Sequence, residues 1–419
     1  MKKILIFILA LVLAGATLGL TACNNRDKDT IVIWAYDASV TAAQEAVKLY
    51  KKNNPNAKFE VVELAQDDLV QKFRIALASG SAVNLPDIIY EEDYNTIGYL
   101  KYYNSFFVDL TDYIDPSTFV PYKINNVTYN GKIYGVPYDS SAAPLFYRLD
   151  YLEQAGFTEA DMEGITWEEF VAIGLEVKRV TGKLMVTICP EGNIEGRVML
   201  QSASRWYYDL DGNLDIVGNI GLERMMETMK LLNDSGIAYR ATGWDDIISS
   251  FYNGNVASII GGTWWAPIIA ENPSQSGLWR IAKLPRMSGD DSFTHYSMIG
   301  GGAWYVMNKP NKDKSISFLT QTIATSLELA NIMVEKKQVV PTLLNAINCE
   351  NAQKGDPYFG GQRICEIVGE WGVLTPLVNY GEFPYEIAYK HGELMTSYLD
   401  GTKTVQQVLQ ELQDYAEAL

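Results

Sequence analysis

Between Ile31 and Tyr90 the apolar residues switch repeatedly between a period of two and a helical period, and that alternation confines the chain to an α/β architecture. Ile31-Val32-Ile33-Trp34 is an apolar run of strand length. From Thr41 to Lys52 the apolar positions Ala43, Ala46, Val47 and Tyr50 follow helical spacing, and Asn53-Asn54-Pro55 stops the helix. Phe59 to Leu64 reads as a strand. Asp67 to Ala78 reads as a helix that turns Leu69, Phe73, Ala76 and Leu77 inward, with Gly80 near its end, and Asp87 to Tyr90 reads as a third strand. A β-α-β-α-β order predicts a mainly parallel sheet with helices on both faces.

The order changes at Tyr129-Asn130-Gly131-Lys132, whose Asn-Gly pair is a tight-hairpin signature. A second α/β region follows. Thr166-Trp167-Glu168-Glu169 fits a capping box ahead of a helix to about Arg179, Gly182 ends it, and Leu184 to Cys189 is a strand. Helical patterns recur at Glu195 to Tyr207, Leu222 to Asn233 and Trp244 to Tyr252. Val256 to Ile260 is the next strand, leading into Gly261-Gly262-Thr263-Trp264-Trp265. Ile299 to Met307 is apolar and glycine-rich, and from Ser315 the chain reads mostly helical. No short-period repeat is present. At 419 residues the chain exceeds the ~250–300 at which one core stops growing, so two lobes are expected.

Lys2 and Lys3 precede an apolar stretch from Ile4 to Leu13, and small residues follow, which is the layout of a secretory signal and not of a spanning helix. Leu20-Thr21-Ala22-Cys23 resembles the lipobox of bacterial lipoproteins. That resemblance implies cleavage after residue 22, a diacylglyceryl group on Cys23 and a mature chain held on the outer face of the cell membrane, since two acyl chains anchor stably where one does not. Asn24 to Thr30 is polar and suits a tether. The formal charge of −17 becomes two units more negative once Lys2 and Lys3 are removed, which disfavours nucleic acid as a partner. Of the remaining cysteines, Cys349 and Cys365 flank a loop-like stretch and either form a disulfide or stay as free thiols; Cys189 has no neighbour in sequence. With only His295 and His391 and no Cys-x-x-Cys, no metal site or other cofactor is expected.

In open α/β sheets ligands bind beyond the carboxyl ends of strands. That rule selects Tyr36 and Asp37 after the first strand, Glu91, Glu92 and Asp93 after the third, Tyr138 and Asp139 after the hairpin, and Trp264 and Trp265 after the strand at 256–260. Trp304 in the 299–307 run and Trp206 near the end of a helix complete the candidates. These sets pair aromatic rings with strong acceptors, the combination that takes the apolar face and the hydroxyls of a sugar. Each residue also has a plainer reading. A Trp is often core, and acids cluster at helix N-termini for the dipole alone. Trp264 and Trp265, adjacent and behind two glycines, can hardly both point into the core.

In order and spacing these motifs resemble the extracellular solute-binding proteins of sugar ABC importers, the group that includes maltose-binding protein. The likeness rests on Ile31 to Trp34, Leu85-Pro86-Asp87-Ile88-Ile89, Tyr129 to Pro137 with Leu145-Phe146-Tyr147, Thr166 to Phe170, Phe251-Tyr252-Asn253-Gly254, Gly262-Thr263-Trp264 and Gly300-Gly301-Gly302. It implies a type II periplasmic-binding-protein-like fold of two lobes, 31–141 with 294–341 and 142–293 with 342–419, joined by crossings near Ala142, Leu284 to Thr294 and Pro341. It implies ligand contacts from Glu91 to Tyr94 and a stacking platform at Trp264. Glu91 stands where maltose-binding protein has an aromatic residue, so the ligand need not be a maltodextrin. The implied function is non-enzymatic: a monomeric receptor that closes around an oligosaccharide or related sugar and delivers it to the transmembrane subunits of a permease. A lipid-anchored glycoside hydrolase and a receptor for a non-sugar solute are the alternatives; a hydrolase requires two carboxyls at a defined separation.

Overall fold

The computed structural model describes residues 27–419; the signal segment, Cys23 and the first part of the tether lie outside the described residues. Two five-stranded sheets organise the chain. The first runs β2 (Lys58–Glu63), β1 (Thr30–Ala35), β3 (Ile88–Glu92), β12 (Gly302–Val306), β6 (Gly135–Pro137). β1 pairs in parallel with β2 and β3, while β12 runs antiparallel to both β3 and β6. The second sheet runs β11 (Trp279–Ala282), β7 (Leu145–Arg148), β10 (Val256–Ile260), β8 (Leu184–Ile188), β9 (Ala238–Arg240), with β7 the reversed strand. Each sheet thus has one strand running against the other four.

The inner strands of both sheets are buried on two faces, as near-continuous apolar sequence requires, while the edge strands β2 and β9 are only partly covered. In the second, Leu145, Tyr147 and Ile260 feed one apolar cluster and Phe146, Ile259 and Ile281 feed the other, the period-two alternation of a pleated strand. In the first, Ile33, Phe73, Leu77, Ile88 and Met307 form a separate core.

Local signals explain the boundaries. The helix Trp167–Thr181 starts at a capping box, with Thr166 N–H donating to Glu169 Oε2 at 2.7 Å and Glu169 N–H to Thr166 Oγ1 at 3.3 Å, and it ends at Gly182 with φ 72°. Asn130 and Gly131 both hold positive φ, the requirement of the tight turn between β4 (Thr128–Tyr129) and β5 (Lys132–Ile133). One helix is shorter than its periodicity suggests: it spans Ile194–Ser202, because Ser204 takes φ 57° and turns the chain before Trp206. Cys189, Cys349 and Cys365 are free thiols.

The chain passes from the first sheet to the second between Pro137 and Leu145 and returns between Ala282 and Gly302. At these passages the backbone makes isolated bridges, Asp139 with Pro341 and Ala142 with Met298, and Ser140 N–H donates to the Val340 carbonyl at 2.8 Å. The helix Pro384–Leu399 packs on both Ile220–Asp234 and Asp93–Tyr103, so the C-terminal helices touch elements attached to each sheet. No described helix is long and apolar enough to cross a membrane.

Candidate binding cleft

Tyr36, Asp37, Glu92, Tyr138, Asp139 and Trp264, distant in sequence, line one cavity of about 460 Å³ between the two sheets. Its size falls in the range of small-molecule sites. It continues past Asp37, Asp139, Trp264 and Ile268 into a wider space of about 820 Å³ that reaches Glu335 to Val340.

Tyr36 ends β1, and Asp37 turns the chain into the helix Asp37–Asn53 with φ 46°, a left-handed conformation uncommon outside glycine. Ser39 closes the turn, its hydroxyl donating to the Tyr36 carbonyl at 2.5 Å. At the end of β3, strand alternation decides which acids face the cavity. Tyr90 and Glu92 line it; Glu91 points away. Asp139 Oδ1 accepts from the Tyr90 hydroxyl at 2.9 Å and from Gly302 N–H at 2.7 Å, which fixes the carboxylate. Trp264 donates its indole N–H to the Ile299 carbonyl at 3.0 Å, and its ring lies 5.6 Å from Trp244 and 4.7 Å from Trp265. Gly262 is required here, since a Cβ would lie 2.3 Å from Trp264 Nε1.

The other five candidates do not line the cavity, each for a packing reason. Glu91 is buried behind β3, where Oε1 accepts from Asn95 Nδ2 at 3.0 Å and Oε2 has no partner among the described residues; burial pushes its carboxyl up to about 8. Asp93 is fully buried and paired with the equally buried Lys123 at 2.7 Å, with Asn126 Nδ2 donating at 2.9 Å. Trp206 stacks on Tyr94 at 5.7 Å and 22° inside the core. Trp265 lies beneath Trp244 at 4.7 Å and 11°, so of the adjacent pair only Trp264 reaches the cavity. Trp304 backs the wall, packed on Tyr90 and Tyr138.

Arg197, Trp244, Tyr385 and Tyr389, together with Gln66 behind β2, add to the lining without having been singled out in sequence, and Tyr94, the last residue of the stretch the resemblance pointed to, lines it as well. The rule of strand ends would have found Gln66 had it been applied to β2. The Tyr385 and Tyr389 rings stack one helical turn apart, at 5.8 Å and 24°. The Tyr385 hydroxyl donates to Glu92 Oε2. Burial raises the Glu92 carboxyl above its ordinary range, and the Tyr385 bond and the Arg197 charge oppose that rise. The Arg197 guanidinium lies 5.4 Å over the Tyr94 ring and 5.6 Å over the Tyr385 ring.

The lining therefore combines flat aromatic faces with carboxylates, an amide and one guanidinium, the set that holds a polyhydroxylated ring. Among the described residues no group of His, Cys, Asp and Glu could hold a metal ion.

Residues 45–357 match the family model described as bacterial extracellular solute-binding protein. The chain is 36% identical to the lactose-binding protein of Rhizobium radiobacter, over 92% of each chain. It is 25% identical to the arabinooligosaccharide-binding protein of Bacillus subtilis (strain 168), over 77% of this chain and 74% of that one. Among solved structures, that of the sugar-binding protein MalE from Xanthomonas citri superposes with a TM-score of 0.77 at 18% identity, covering 91% of this chain and 95% of the other.

Proposed function

The chain belongs to the bacterial extracellular solute-binding family and has its two-lobed type II fold, and from that premise we propose that it is the sugar receptor of an ABC importer. It captures a disaccharide or short oligosaccharide between the lobes and presents it to the transmembrane permease subunits. The observation that carries this reading is the cavity in which Trp264 offers a ring face while Asp37, Glu92 and Asp139 offer acceptors. The relatives named for lactose and arabinooligosaccharide support the ligand class.

The lobes in this reading are 31–141 with 294–341 and 142–293 with 342–419, with the passages near Ala142 and Pro341 acting as the joint. The mature protein is a monomer anchored through a diacylglyceryl group on Cys23, with residues 24–30 as its tether. Anchorage keeps the receptor near its permease.

A thermal-shift screen of the mature domain against lactose, arabinotriose and maltotriose tests the central claim. A ligand bound only by the native state adds about 2.7 kcal/mol at a hundredfold excess over Kd, so the true sugar raises Tm. Silence toward all sugars would move the reading to a non-sugar solute. Sugar hydrolysis abolished by Glu92→Gln or Asp139→Asn would replace it with an enzyme.

A further inference from the structure

Arg197 is only 8% exposed, yet among the described residues it forms no ion pair, and its sole side-chain hydrogen bond is Nε to the Asn193 carbonyl at 3.3 Å. A buried guanidinium without partners is costly, so both Nη groups call for acceptors. The side chain lines the cavity, with its guanidinium 5.4 Å from the Tyr94 ring and 5.6 Å from the Tyr385 ring. Glu92, whose charge it feels, is taken instead by the Tyr385 hydroxyl. The free edge of the fork therefore faces the space a ligand fills.

We propose that Arg197 sets specificity by donating from its two Nη groups to a pair of adjacent hydroxyl oxygens on a neutral sugar ring. This rests on the sugar-receptor reading and deepens it. A planar fork matches two oxygens side by side, which an ammonium cannot do. The partner is a diol and not a carboxylate or sulfate, because Asp37, Glu92 and Asp139 line the same cavity and repel an added negative charge. Arg197 is thus the reader of ring configuration, while Trp264 and Tyr36 supply surface that any pyranose satisfies.

Calorimetric titration of the mature protein with lactose, maltose and arabinotriose first identifies the sugar that wild type takes up. That sugar and its monodeoxy derivatives are then titrated into wild type, Arg197→Lys and Arg197→Met. Wild type loses about tenfold or more in affinity on removal of either contacted hydroxyl, and both variants bind the parent sugar at least tenfold more weakly with a deoxy penalty below about threefold. The unliganded Arg197→Met protein melts no lower than wild type, since an unpaired buried charge has been removed. If wild type takes up none of the three sugars, the receptor reading fails and this one with it. If wild type binds but the variants keep both the affinity and the deoxy penalty, this inference alone is overturned. Tighter wild-type binding of the corresponding uronate than of the neutral sugar overturns it as well.

Discussion

Trp264 is pinned by its own indole N–H to the carbonyl of Ile299, 35 residues away in a segment that returns to the first sheet. The ring therefore both lines the cavity and acts as a strut. Trp264→Ala should weaken sugar binding by tenfold or more and, because the ring also packs on Trp244 and Trp265, lower stability by about 1–2 kcal/mol. Calorimetry and urea unfolding separate the two effects. Unchanged affinity with a large stability loss would remove Trp264 from the ligand surface. Intrinsic Trp fluorescence should shift on sugar binding in wild type and shift less in the variant.

The Tyr385 hydroxyl bond to Glu92 joins β3 to the helix Pro384–Leu399 across the cavity. Tyr385→Phe removes it while keeping the ring, and leaves Glu92 without its strongest compensation for burial. Affinity should fall about tenfold, as for a lost bond to a charged group, and the fall should be greatest at acidic pH, where Glu92 protonates more readily. Titrations at two pH values check both points; equal affinity at both would show that the bond is incidental.

Asp93 and Lys123 form a fully buried ion pair. Lys123→Met should cost about 3–5 kcal/mol in urea unfolding, because it strands a carboxylate. The surviving folded protein should bind sugar as wild type does. A selective loss of binding would return Asp93 to the ligand set.

Three buried groups set the two limbs of the stability profile. His391 is held neutral, its pKa lowered from 6.5 to about 3 by burial. The unfolded chain takes up that proton first, so the contribution is present above about 6.5 and is lost as pH falls toward 3. Glu91, raised from 4.5 to about 8, contributes below 4.5 and loses its share as pH rises through 8; Glu195, raised by burial to about 7, adds in the same sense. Urea midpoints from pH 4 to 9 should therefore peak between the limbs, with Glu91→Gln flattening the alkaline side. An unaltered alkaline limb in that variant would refute the assignment.

The strands and helices of the first sheet were legible because apolar period and stop signals agree there: β1, β3 and the helix Asp37–Asn53 lie within a few residues of their sequence bounds. The reversed strands β7 and β12 were not, since local periodicity carries no strand direction. At the cleft, the strand-end rule reached Tyr36, Asp37, Glu92, Tyr138, Asp139 and Trp264, which sit at strand ends or in the segments just beyond them. It also named Glu91, Asp93 and Trp265, which do not line the cavity, although alternation along β3 could have separated Glu91 from Glu92. Arg197, Trp244, Tyr385 and Tyr389 escaped because they reach the cavity from helices, and which helix face meets the cavity depends on how the sheets are placed, not on neighbours in sequence.

At the passages between the sheets the bridges Asp139 with Pro341 and Ala142 with Met298, and the bond from Ser140 to Val340, are made by the main chain. Such bonds are indifferent to side-chain identity, whereas Asp139, Glu92, Arg197 and Trp264 give the cavity its chemistry through their side chains. The connection between the sheets and the chemistry of the cavity thus rest on different atoms, even within the one residue Asp139. Side-chain substitutions that re-line the cavity therefore leave the main-chain bonds between the sheets in place, so one scaffold can carry many different linings.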